Sequence, residues 1–238
     1  MTLIKICGLT GLEDALSVAQ MGVDMAGLVF FTESRRRISF KQAAEIIAAL
    51  GKLPRRPAIV GVFVNENAQT VNETAQTCGL DMVQLSGDEG WEYCRDLERP
   101  FIKVIHVLAS TGAAEIVERI NIGRSMNFKQ PYLCMLDTMA GGLYGGSGQG
   151  FNREVARQVC ATVPVLIAGG LSSDNVAELI QDVKPLGVDV SSGVETDGRK
   201  DMNKIRRFVE AVRAAEAPGG VWQSLPPKYY RKGEIDVT

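Results

Sequence analysis

Short apolar runs rich in β-branched residues alternate with helical stretches eight times along this chain, and that alternation restricts the fold more than any other feature. The runs at 3–6, 25–30, 58–64, 82–85, 101–107, 132–136, 165–168 and 188–191 read as strands. Between them, apolar residues at three- and four-residue spacing predict helices over 12–21, 40–50, 68–78, 91–97, 113–120, 153–161, 174–181 and 202–215. Ser39 before Phe40 and Ser173-Asp174 before Asn175 are helix-start signals. Eight repeats of about 25 residues close into a (β/α)8 barrel, because closure removes both sheet edges and buries every strand on two faces. The expected architecture is therefore an α/β TIM barrel, a single domain over 1–215, with an open doubly wound sheet as the alternative the pattern leaves.

Two segments fall outside the repeat. The glycine-rich connection 137–151 is expected to be a loop on the carboxyl-end face, where barrel enzymes keep their chemistry. Residues 216–238 form an appendage: Pro218-Gly219-Gly220 and Pro226-Pro227 break any helix, and Lys228-Tyr229-Tyr230-Arg231-Lys232 is basic and aromatic.

Composition removes several classes of partner. With 26 basic and 28 acidic residues the formal charge is -2, so there is no broad field for nucleic acid or anionic lipid. No apolar run approaches the ~20 residues needed to span a bilayer. The five cysteines, at 7, 78, 94, 134 and 160, lack CxxC spacing and read as reduced thiols of a cytoplasmic protein.

The chemistry-bearing residues cluster where strands end. Cys7 closes the first strand, and period-two alternation sets Lys5 on its face, roughly 6 to 7 Å away. An ammonium there lowers a thiol's pKa, although a buried free cysteine is also an ordinary core residue. Asp137 ends the sixth strand as a rim group or a loop cap. Asp189 stands within the eighth, where a carboxylate has to meet a partner or a ligand. Glycine-rich turns follow three consecutive strands: Gly145-Gly146-Ser147-Gly148, Gly169-Gly170 and Ser191-Ser192-Gly193. Exposed backbone N–H groups at such turns make a cradle for phosphate. Ser34-Arg35-Arg36-Arg37, after the second strand, offers guanidinium forks to a carboxylate or phosphate, or forms a solvated basic loop. The sole histidine, His106, ends the fifth strand.

These residues stand in a familiar order. The chain from about residue 3 to 213 resembles the phosphoribosylanthranilate isomerases of tryptophan biosynthesis. The resemblance is carried by Lys5-Ile6-Cys7-Gly8, Gly61-Val62-Phe63-Val64-Asn65, Val83-Gln84-Leu85 with Gly87-Asp88-Glu89, and Leu136-Asp137-Thr138 with the GGSG loop. It continues through Ala168-Gly169-Gly170-Leu171, Asp174-Asn175-Val176, 188–195, Gly198 and Lys200-Asp201. It implies an Amadori rearrangement of a small phosphoribosyl substrate by general acid and base, with no metal and no nucleotide cofactor. The acid matching Asp137 opens the sugar ring, and the thiolate matching Cys7 removes the C2 proton. Arg36 matches the arginine that pairs with the anthranilate carboxylate, and Asp189 is assigned to the sugar hydroxyls. Gly146, Ser147, Gly148, Gly169, Gly170, Ser192 and Gly193 are assigned to the phosphate and its loops. A monomer or homodimer is expected, with the tail able to make a contact.

The chain departs from the family at four kinds of place. Glu33 and Arg35 flank the serine where lysine and proline are usual, Ser86 replaces a histidine, His106 stands where arginine is common, and Asn152 replaces an aspartate. The related isomerase of histidine biosynthesis fits less well, since its first strand offers aspartate in place of Cys7 and its two halves repeat. A catalytically silent barrel serving as a binding subunit is the reading from another class, and retention of Cys7 and Asp137 opposes it. At reference pKa values about 3% of thiol is ionised and ~0.1% of carboxyl is protonated at pH 7, so an uncoupled pair would be productive roughly 2 times in 100,000. The site has to shift at least one of these groups.

Overall fold

Eight parallel strands join in chain order, each to the next, in a closed barrel. They are β1 (Leu3–Cys7), β2 (Met25–Val29), β3 (Ala58–Phe63), β4 (Met82–Leu85), β5 (Phe101–Val107), β6 (Tyr132–Thr138), β7 (Val165–Ala168) and β8 (Gly187–Val190). The structure is a computed structural model and describes residues 1–138 and 153–216. The expected appendage from residue 217 onward and the GGSG loop, with Gly146, Ser147 and Gly148, lie outside the described residues. Strands β1 to β5, β7 and β8 are buried along their length apart from half-buried His106, as parallel strands covered on both faces must be.

Among the described residues, seven α-helices accompany the strands: α1 (Leu12–Gln20), α2 (Phe40–Leu50), α3 (Ala68–Cys78), α4 (Ala113–Ser125), α5 (Arg153–Thr162), α6 (Val176–Val183) and α7 (Met202–Ala215). Ser39 caps α2 with a reciprocal capping box, its side chain accepting from Gln42 N while the Gln42 side chain accepts from Ser39 N. Asn67 and Asp201 cap α3 and α7 with their side chains alone, accepting from Thr70 N and from Asn203 N and Lys204 N. α3 ends on Gly79 at φ 76, a left-handed conformation that favours glycine.

The differences from the sequence reading are local. The helix expected over 91–97 is a 3-10 turn at Glu92–Asp96. The segment is short and pinned by Trp91, which packs against Phe128 and Tyr132 in an aromatic group completed by Phe101. A 3-10 turn at Ser192–Val194 and a two-stranded antiparallel ribbon, β9 (Glu195–Thr196) with β10 (Arg199–Lys200), follow β8. β6 runs two residues beyond its apolar stretch, so Asp137 lies inside a strand and not in a loop.

The chain divides into two compact units, one centred on 5–103 and the other on 104–127 with the described residues from 134. In the first, β2 and β3 pair from Met25↔Ala58 to Val29↔Val62. Arg56 and Asp81 form a bidentate pair at the amino ends of β3 and β4, and Asp81 also accepts from Ile59 N at 2.7 Å. In the second, β6 pairs with β7 and β7 with β8.

Candidate active site

Within the first unit, Cys7 and Gly27 are register partners across β1 and β2. Cys7 is in no disulfide, is 8% exposed, and is packed with Val29 and Val62 and flanked by half-buried Phe31. Lys5, two residues back on the same face, is fully buried. A Cβ placed on Gly27 would lie 2.8 Å from Cys7 Sγ and 3.2 Å from Lys5 Nζ. Sulfur and ammonium are therefore no more than about 6 Å apart, the spacing that alternation along one strand allows. Such a cation stabilises the thiolate relative to the thiol.

Gly8 continues from Cys7 at φ 83, and its N–H and that of Leu9 both donate to Gly27 O, at 2.9 and 3.0 Å. The chain thus turns away immediately after the thiol.

The loop after β2 is two consecutive tight turns. Ser34 N donates to Phe31 O and Arg37 N to Ser34 O, while Ile38 N returns to Val29 O. Ser34 Oγ accepts from Arg36 N at 3.1 Å. Arg36 is half-buried, whereas Arg35 and Arg37 are exposed. Of the three arginines, Arg36 is thus the least exposed.

A buried carboxylate to which sequence reasoning gave no role ties two more loops of this unit. Glu89 accepts from Asn65 N at 2.7 Å and from Gly87 N at 3.0 Å, and pairs with Lys103 Nζ at 3.8 Å. Asn65, at φ 51, accepts in turn from Asp88 N. Lys103 and Glu89 are both inside, and a lysine in the middle of an apolar strand was the available signal. Ser86, at the family's histidine position, accepts from Gln84 Nε2 at 3.0 Å.

In the second unit Asp137 is the register partner of Ala168. Ile167 pairs with Val188, so the next step along both strands sets Asp189 beside Ala168. Partners in a parallel ladder share a face, so Asp137 and Asp189 flank Ala168 on one face with Cα atoms roughly 9.5 Å apart. Asp137 is half-buried and Asp189 is buried at 8% exposure.

The turns after β7 and β8 interlock. Gly169 and Gly170 adopt φ 95 and 65, and the turn is closed by Asn175, which donates from Nδ2 to Gly170 O and accepts from Ser172 N. A Cβ on Gly193 would lie 1.8 Å from Leu171 O, so backbone packs on backbone at that point. Ser192 is exposed and Gly193 half-buried. Beneath them Lys200 Nζ donates to Ser191 O and to Glu195 Oε1, both at 2.9 Å, with the two side chains 2% and 4% exposed. Lys204 Nζ donates to Glu195 O at 2.7 Å. The sequence reading gave this buried pair no role.

Among the described residues no helix is long and apolar enough to cross a membrane. The family model for N-(5'-phosphoribosyl)anthranilate isomerase matches residues 4–211. The N-(5'-phosphoribosyl)anthranilate isomerase of Dehalococcoides mccartyi is 49% identical over 212 residues, covering 89% of this chain and 96% of that protein. The crystal structure of the phosphoribosyl anthranilate isomerase of Thermotoga maritima superposes with a TM-score of 0.78 at 34% identity, over 90% of this chain and all of that one. A phosphoribosyl anthranilate isomerase in complex with reduced 1-(o-carboxyphenylamino)-1-deoxyribulose 5-phosphate matches at a TM-score of 0.72 and 32% identity, over 90% of this chain and 100% of that chain. The eight-stranded barrel and the match over nearly the whole described chain lead to one conclusion: this chain belongs to the N-(5'-phosphoribosyl)anthranilate isomerase family.

Proposed function

We propose that the chain converts N-(5'-phosphoribosyl)anthranilate into 1-(2-carboxyphenylamino)-1-deoxyribulose 5-phosphate, a step of tryptophan biosynthesis, with Asp137 as general acid and Cys7 as general base. The observation that carries the reading is the buried thiol at the end of β1 with a fully buried ammonium on the same face. Protonated Asp137 gives its proton to the ring oxygen, the C1–O bond breaks, and the nitrogen lone pair forms the C1=N bond of an open Schiff base. The Cys7 thiolate takes the proton from C2, giving the enol-amine. C1 then gains a proton as the C2 hydroxyl loses one, and the sum is an isomerisation with nothing added or removed. Every step moves a proton, so an acid and a base suffice.

Arg36 pairs with the anthranilate carboxylate through its planar fork. Asp189 accepts from sugar hydroxyls. The turns at Gly169-Gly170 and Ser192-Gly193 hold the phosphate through backbone N–H groups, with Gly146, Ser147 and Gly148 assigned to the same ligand. Residues 1–215 form the catalytic domain, and 216–238 an appendage available for a tail-mediated contact. The enzyme acts as a monomer or homodimer in the cytoplasm, where its free thiols stay reduced.

The test is the loss of anthranilate-type fluorescence when the substrate is generated in situ, with the corresponding histidine-pathway compound as control. Turnover of the first substrate alone is expected, and its loss in Cys7→Ala and Asp137→Asn. Near-normal turnover by Cys7→Ala would end the reading of Cys7 as the base.

A further inference from the structure

The structure assigns Gly27 a role the family reaction does not name: we propose that its missing side chain is what positions Cys7 and Lys5 relative to one another, making Gly27 a positioning residue for the base. The inference rests on the reading of Cys7 as that base. Gly27 sits mid-strand in β2, where glycine is a poor choice for a ladder, and its φ is not in the left-handed region. Conformation therefore does not require glycine there, and alanine could adopt the same backbone. Space does require it. The ideal Cβ meets Cys7 Sγ at 2.8 Å, Cys7 Cα at 3.1 Å and Lys5 Nζ at 3.2 Å.

Two of those three atoms are side-chain ends, the thiol and its cation, and the third belongs to the β1 backbone. The sulfur, at 2.8 Å, is the atom that must shift, while Lys5 Nζ and Cys7 Cα, at 3.2 and 3.1 Å, are each pressed by a smaller overlap. The Gly27 carbonyl meanwhile accepts from Gly8 and Leu9. One residue so fixes the backbone leaving the thiol and leaves the volume that sulfur and ammonium share. A methyl group at 27 should damage turnover far more than folding.

The experiment is Gly27→Ala in the full chain, measured for kcat, KM, Tm and the pH profile of Cys7 alkylation by iodoacetamide. A displacement of about 1 Å at the base should lower kcat about 100-fold with little change in KM. The alkylation profile should move to higher pH as the sulfur is pushed from the ammonium. A merely structural role would lower Tm and leave that profile in place. A kcat within about twofold of the parent, or an unmoved profile, overturns the proposal. Should Gly27→Ala fail to fold, the substitution is repeated in Cys7→Ala, where the sulfur is gone. Its cost in Tm should shrink there, and an equal cost in both backgrounds overturns the proposal. If Cys7→Ala keeps turnover, the base assignment itself has failed. If Cys7→Ala is inactive and Gly27→Ala unimpaired, only the Gly27 inference falls.

Discussion

The thiol end of β1 and the turns after β7 and β8 are built on different plans. Around Cys7 the functional groups are side chains, and their setting is another side chain, Lys5, together with the volume left open at Gly27. After β7 and β8 the surface proposed to hold the phosphate is backbone, held by backbone packing at Gly193 and Leu171 and by the buried Lys200–Glu195 pair below it. The difference teaches where each part of a reaction resides. A group that must change protonation needs a tuned neighbour, whereas a dianion that only has to be held needs fixed N–H dipoles. The first kind of site fails in kcat when perturbed, and the second in KM.

The sharpest separation should come from Cys7→Ala: if Cys7 is the base, as proposed, kcat should fall about 100- to 10,000-fold, with the KM for substrate nearly unchanged. Circular dichroism and Tm close to those of the parent would show that only chemistry was lost.

Lys200→Met attacks the other plan. It leaves the Glu195 carboxylate buried without its ammonium and should cost about 3–5 kcal/mol of stability, a fall in Tm of roughly 10 °C. Because Lys200 also holds Ser191 O, the turn that follows should loosen and KM rise more than kcat falls. Replacing both partners, as in Glu195→Leu with Lys200→Met, should recover much of the stability while KM stays raised. A double variant with normal KM would break the comparison, since the pair would then support the fold and not the turn.

Gly193→Ala is the finer probe of the same side. Leu171 O cannot yield to a Cβ at 1.8 Å without a shift of one turn against the other. About a tenfold rise in KM is expected, read with inorganic phosphate as a competitive inhibitor whose Ki rises in parallel. A change confined to kcat would count against the phosphate-holding role proposed for the turn.

How much of this was legible follows the same division. The barrel was readable because eight strand patterns buried on two faces, separated by helices, have few other ways to hide their edges. Lys5 beside Cys7 was readable because strand alternation is strict. Arg36 is singled out by resemblance alone, and what the structure adds is that its backbone N–H is held by Ser34 Oγ and that its two neighbours are more exposed. Gly27 was not readable: a glycine in a strand gives no sign of which atoms occupy the space beside it. The Lys200–Glu195 pair was missed because both residues look like ordinary surface charge until β9 and β10 fold them inward. Asp137 was expected at a strand's end because hydrophobicity stops at Leu136, but ladder hydrogen bonding continues past the last apolar residue.

The smallest effect concerns the thiols that do no chemistry, and it tests whether burial alone distinguishes Cys7. Cys94 in the first unit and Cys160 in the second are as buried as Cys7. Burial pushes the Cys94 thiol up to about 12, with Lys103 pulling the other way and Glu89 adding to the rise. Burial alone pushes Cys160 up to about 12. Both should resist iodoacetamide at pH 8 while Cys7 reacts. The sign of the linked stability change follows from the protons bound: above the unfolded thiol pKa of about 8.5, the unfolded chain has lost a proton that the folded chain keeps. The contribution of each thiol is thus complete below about pH 8.5 and is lost as pH climbs toward 12, at up to about 1.4 kcal/mol per pH unit. Tm should be level to about pH 8.5 and then decline. Cys160→Ala lowers Tm everywhere by opening a cavity, but it should flatten that decline, so the slope and not the height is the readout. An undiminished slope in both Cys94→Ala and Cys160→Ala would assign the alkaline decline to other groups. Equal alkylation of Cys94, Cys160 and Cys7 would show that a lysine on the same strand face gives a buried thiol no advantage.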